Sequence, residues 1–151
     1  VPAVASSAVT IAGDLWRLGN HRLLCGDSVA PGTLEKALGG PDRLADMAWT
    51  DPPYNIAYRA APAAARTKRK AIENDALADD FPAFLTEACR GILSVTKGAC
   101  YIAMSDRELP TLRQAWEAAG GHWSAFIVWA KPVFTAGFAD YRPQHELILY
   151  G

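Results

Sequence analysis

From Leu23 to the C-terminal end, stretches with strand character alternate with stretches of helical spacing, and glycine, proline or a capping side chain marks most changes. A chain that alternates in this way is expected to form an α/β fold, an open and mostly parallel sheet with flanking helices. The reason is that neighbouring parallel strands need a crossover, which a helix supplies. The 151 residues suffice for one domain with its own core, since folding at this length removes roughly 70% of the unfolded chain's surface from water.

The order of elements follows from local patterns. Leu15-Trp16-Arg17-Leu18 and His21-Arg22-Leu23-Leu24-Cys25 read as a hairpin around Gly19-Asn20, a pair that tolerates positive φ. Asp27 or Ser28 is the expected cap of a weak helix over 31–38, which Gly39-Gly40-Pro41 stops. An apolar run over 45–50 leads into Asp51-Pro52-Pro53-Tyr54-Asn55, where two prolines end the strand. Residues 56–77 have no usable periodicity and contain the basic run Arg66-Thr67-Lys68-Arg69-Lys70, which could line an approach for phosphates or form a solvated loop. With Asp80 as cap, Phe81, Phe84, Leu85, Ala88, Cys89, Ile92 and Leu93 follow helical spacing. A buried-type strand over 99–104 comes next. Ser105 and Glu108 then form a capping box for a helix with the stripe Leu109, Leu112, Trp116 and Ala119. Strands over 122–130 and 146–150 complete the series.

Charge and cysteine content narrow the class. Half the residues are hydrophobic, and 15 basic against 16 acidic side chains leave a net charge of −1. Wholesale disorder is excluded, and bulk charge favours neither nucleic acid nor membrane, although a local basic patch suffices for the former. Cys25, Cys89 and Cys100 form no CxxC pair, as expected of a reducing, cytoplasmic compartment. His21, His122 and His145 share no metal-ligand spacing, so no metal is expected. No apolar run is long enough to span a bilayer.

Chemistry concentrates in Asp51-Pro52-Pro53-Tyr54. It places an acceptor carboxylate, a backbone carbonyl and an aromatic face at a strand's C-terminal edge, where open α/β sheets bind ligands. That set suits a planar base bearing an exocyclic amine. Carboxylate and carbonyl each accept one amine hydrogen, and the ring stacks on the base for about 1–3 kcal/mol. Accepting both hydrogens draws the nitrogen lone pair out of the ring's conjugation, which is catalysis by positioning and electrostatics. The plain alternative is a proline turn capped by Asp51, with Tyr54 as an ordinary aromatic.

Four strings in this order, Leu24-Cys25-Gly26-Asp27-Ser28, Asp51-Pro52-Pro53-Tyr54-Asn55, Phe126-Ile127-Val128-Trp129-Ala130-Lys131 and His145-Glu146-Leu147-Ile148-Leu149-Tyr150, carry a resemblance over nearly the whole chain. The sequence resembles the S-adenosylmethionine-dependent DNA amino-methyltransferases that act on adenine N6 or cytosine N4. It is most similar to the permuted group in which the catalytic motif precedes the glycine-rich one. The resemblance implies a partial Rossmann-like methyltransferase fold, S-adenosylmethionine as cofactor and DNA as partner, with no membrane. It implies that Asp51, Pro52, Pro53 and Tyr54 are catalytic and that Asp27 and Asp51 contact the cofactor. Tyr54, Asn55 and Tyr141 are the implied substrate contacts, with Phe138 competing for the place of Tyr141. The aspartate form of the motif leans towards adenine; cytosine N4 is the alternative, as is a non-catalytic fragment that binds DNA or a partner subunit.

No Gly-x-Gly occurs in the chain, whereas the family carries a glycine loop that lets backbone approach the cofactor. The expected division is therefore a tail or linker over 1–13 and a catalytic portion over 14–151. That portion lacks the glycine-rich motif and the target-recognition region, and it would be inactive until a C-terminal half or partner subunit completes it. Among lesser features, Lys131 is expected to mark a strand's emergence into water, and His145 with Glu146 to orient the last strand.

Overall fold

The computed structural model describes residues 8–57, 73–134 and 140–151. Strands β1 (Leu15–Leu18) and β2 (His21–Leu24) form the expected hairpin, turning at Gly19 with φ of 63°. Helix α1 (Thr33–Leu38) is shorter than expected and starts after Gly32, not at Asp27 or Ser28. The Asp27 carboxylate instead accepts the Val29 N–H at 3.0 Å, closing its own turn before the helix begins.

Among the described residues, four strands build the main sheet: β3 (Ala48–Thr50), β4 (Cys100–Met104), β5 (Ala125–Ala130) and β6 (His145–Tyr150). Their spatial order is β3-β4-β6-β5. Strands β3, β4 and β5 run in one direction and β6 runs against them. The α/β expectation holds, with three of four strands aligned. Because the reversed strand lies between β4 and β5, however, only the β3–β4 pairing is parallel among the described strands.

Helices α2 (Phe81–Val95) and α3 (Leu109–Ala118) cover one face. Phe81, Leu85 and Cys89 from α2 meet Leu112, Ala115 and Trp116 from α3 over Cys100, Ile102, Met104 and Leu149. These positions recur at three or four residues on the helices and at two on β4, the periods that place side chains on one face. Burying each large side chain stabilises the fold by roughly 1.5–3 kcal/mol.

The expected caps are not used. A 3₁₀ turn over Ala78–Asp80 runs straight into α2, so Asp80 has helical dihedrals and makes no side-chain cap. Ser105 also makes none, because a 3₁₀ turn over Asp106–Glu108 intervenes. The Glu108 carboxylate bonds Asn55 and Thr111 instead of returning to Ser105.

The opposite face of the sheet carries Trp49, Tyr101 and Tyr150 as a stacked series, with centroids 5.6 and 5.4 Å apart, beside Ile127 and Trp129. Among the described residues no helix lies over it, and Trp49 and Trp129 are 56% and 50% exposed.

Candidate active site

Strand β3 ends at Thr50, and the two prolines that follow cannot extend its ladder. The chain bends there, and Asp51 is exposed at the bend. A cavity of about 330 Å³ opens beside it, lined by Asp51, Pro52, Pro53, Tyr54, Ile56, Asp75 and Glu146. A second cavity of about 220 Å³ shares Asp51 and both prolines and adds Ser28, Leu34, Thr50 and Phe84. A third is lined by Cys25, Gly26, Asp27, Ser28 and Pro53 among others. Two cavities thus meet at one bend, with Asp51 and both prolines common to them.

The loop after the bend is held by two side chains. Asp75, 3% exposed, accepts the Tyr54 and Ile56 N–H groups at 3.1 and 3.3 Å, and its carbonyl accepts the Ala57 N–H at 2.6 Å. Asn55, at φ of 56°, accepts the Leu77 and Ala78 N–H groups, both at 3.0 Å, and donates to Glu108 at 3.2 Å. Asparagine suits this place because it tolerates a left-handed backbone and offers donor and acceptor together.

Tyr54 is fixed at its far end. Its hydroxyl donates to Glu146 Oε1 at 2.5 Å, and Glu146 Oε2 pairs with the Lys131 ammonium. That ammonium lies 4.3 Å from the centroid of Trp129, itself the cross-strand partner of Glu146. Burial, then the Glu146 and Asp51 carboxylates, push the Tyr54 hydroxyl far above its ordinary range, so it remains a neutral donor. Burial raises the Glu146 carboxyl, but Lys131 and the Tyr54 hydroxyl together outweigh it and hold the carboxyl below the usual glutamate range.

No family model matches the chain, and no curated protein matches it. Among solved structures, the chain is similar to the crystal structure of the M1.HpyAVI–SAM complex, with 19% identity and a TM-score of 0.46. The similarity covers 72% of this chain and 43% of that one.

Of the residues singled out from sequence, Asp51, Pro52, Pro53 and Tyr54 meet in the first cavity. Asp27 lies in the third, which shares Pro53 with it. Asn55 does not line the first cavity; its side chain serves the loop framework. Tyr141 is 90% exposed and lines none of the cavities above. Phe138 and the basic run over 66–70 lie outside the described residues. Glu146 departs from expectation, since it lines the first cavity as well as standing near the start of β6, and Lys131 reaches the site only through its ion pair with Glu146. Their signal was a charge beside the end of β5 and another near the start of β6, which reads equally well as emergence into water. Asp75 had no signal, since it sits among other acidic residues in a stretch without period.

Proposed function

We propose that the chain is the catalytic part of a DNA methyltransferase that uses S-adenosylmethionine to methylate adenine N6. The observation that carries this reading is the meeting of Asp51, Pro52, Pro53 and Tyr54 in one cavity beyond β3. Its volume of about 330 Å³ is at the lower end for small-molecule sites, the scale of one nucleobase.

A base leaves the duplex at a cost of a few kcal/mol and enters the cavity against the Tyr54 ring. Asp51 accepts one hydrogen of the exocyclic amine and the Pro52 carbonyl accepts the other. The nitrogen lone pair then points out of the ring's conjugation. Asp51 need not be a strong base, because the amine becomes acidic only once alkylated, and its proton then passes to water. S-adenosylmethionine, when bound, supplies a methyl group on a positively charged sulfur. The donor fits the residues present in one respect: the second cavity, lined by Asp51, and the third, lined by Asp27, share Ser28, Pro53 and Phe84. Asp27 and Asp51 would hold it there.

The test is mass analysis of nucleosides from DNA incubated with the full-length protein and S-adenosylmethionine. N6-methyladenine is the expected product. N4-methylcytosine would correct the substrate, and the absence of any methylated base would contradict the reading.

A further inference from the structure

The Tyr54 hydroxyl has one proton and two carboxylate neighbours, Glu146 and Asp51. The proton goes to Glu146 Oε1 at 2.5 Å. Glu146 is well placed to take it: its second oxygen is bound to Lys131, whose ammonium rests on the Trp129 ring at 4.3 Å. The β5–β6 register sets Trp129 opposite Glu146, so the sheet itself fixes this acceptor at the cavity wall. Asp51, by contrast, is exposed at the mouth of two cavities.

Resting on the methyl-transfer reading above, we infer that Glu146 is a positioning residue: it draws the Tyr54 hydroxyl to itself, orients the ring and leaves the Asp51 oxygens open to the substrate amine. Without Glu146 the same hydroxyl turns to Asp51 and occupies an acceptor that the amine needs. Losing Glu146 is therefore worse than losing Glu146 and the hydroxyl together. A residue that merely supports the fold gives the opposite order, since a second deletion adds damage.

The experiment measures methyl transfer by the full-length protein with Glu146→Ala, Glu146→Gln, Glu146→Ala plus Tyr54→Phe, and Asp51→Ala as control. Glu146→Ala is expected to lower kcat on the order of 10-fold, the worth of one hydrogen bond at the reacting group, with KM for DNA little changed. Glu146→Gln, which keeps an acceptor oxygen, recovers most of that loss, and adding Tyr54→Phe to Glu146→Ala also raises kcat. Glu146→Leu, nearer in volume, replaces the alanine variant should the latter not fold. An independent reading comes from NMR of tyrosines labelled at Cζ. The Tyr54 signal shifts in Glu146→Ala yet still reports a hydrogen-bonded hydroxyl, and loses that character only when Asp51→Ala is added. A double variant no better than Glu146→Ala alone, or a Tyr54 signal that does not move, overturns the inference. If Asp51→Ala is inactive while Glu146→Ala matches wild type, this inference fails alone. If the wild-type protein methylates no base, the methyl-transfer reading fails; if Asp51→Ala transfers normally, that reading loses the role given to Asp51.

Discussion

At Glu146, burial pushes the carboxyl up while the Lys131 ammonium and the Tyr54 hydroxyl pull it down further, so its folded value lies below the ordinary 4.5. A carboxylate lowered in the folded state stabilises the protein fully above its unfolded value and loses that contribution as pH falls through the folded one. Lys131→Met removes the ammonium that contributes to this lowering. The stability difference between wild type and Lys131→Met is expected to be constant above about pH 4.5 and to narrow in more acid solution. Thermal melts across pH check this, and a gap that stays undiminished at low pH contradicts it. The thiols give a second residue-scale prediction. Burial, then the neighbouring Cys100, push Cys89 up to about 12, and burial raises Cys100 as well, whereas Cys25 is exposed. A thiolate is the reactive form, so a disulfide reagent near pH 8 should modify Cys25 in the native protein and reach the other two only on unfolding. Rapid loss of all three thiols without unfolding would count against the packing of α2 on β4.

Among the elements, the join between α2 and β4 depends on one small residue. A Cβ on Gly98 would stand 2.1 Å from the Asp46 carbonyl oxygen, a backbone atom that cannot swing away. Gly98→Ala should therefore lower stability by about 2 kcal/mol, read from urea unfolding, with β3 displaced from β4. An unchanged midpoint would mean that the junction yields freely. The same elements show what was legible in the sequence. Phe81, Leu85 and Cys89 announced α2, because helical spacing of apolar residues is itself the record of which face is buried. Leu15–Leu18 and His21–Leu24 were equally clear around Gly19, and the prolines marked where β3 ends. The caps were not legible: a short polar side chain has several partners in reach, and Glu108 takes one that is 53 residues away. The direction of β6 was hidden as well, since an apolar strand reads alike whichever way it runs. Half of the site was visible for the same reason. Asp51 to Tyr54 are contiguous, but Glu146 meets Tyr54 from 92 residues along the chain, and no local pattern encodes that meeting.

Over the whole molecule, one sheet face packs under α2 and α3 and the other presents Trp49, Tyr101, Tyr150, Ile127 and Trp129. An apolar patch of that kind binds apolar probes. The native protein is expected to enhance the fluorescence of anilinonaphthalene sulfonate, and Trp49→Ser with Ile127→Ser to reduce it without loss of secondary structure; no enhancement would mean the face is covered. The candidate site, at the end of β3 and one end of β6, meets this face through Trp129 and includes neither Trp49 nor Ile127, so these substitutions should leave methyl transfer largely intact. The claim at the centre of the account is that the Asp51 carboxylate holds a nucleobase amine at the bend beyond β3. It is tested most directly by comparing methyl transfer and DNA binding of wild-type and Asp51→Ala full-length protein side by side. The account predicts that transfer falls below detection while DNA affinity changes little; transfer at the wild-type rate would contradict it.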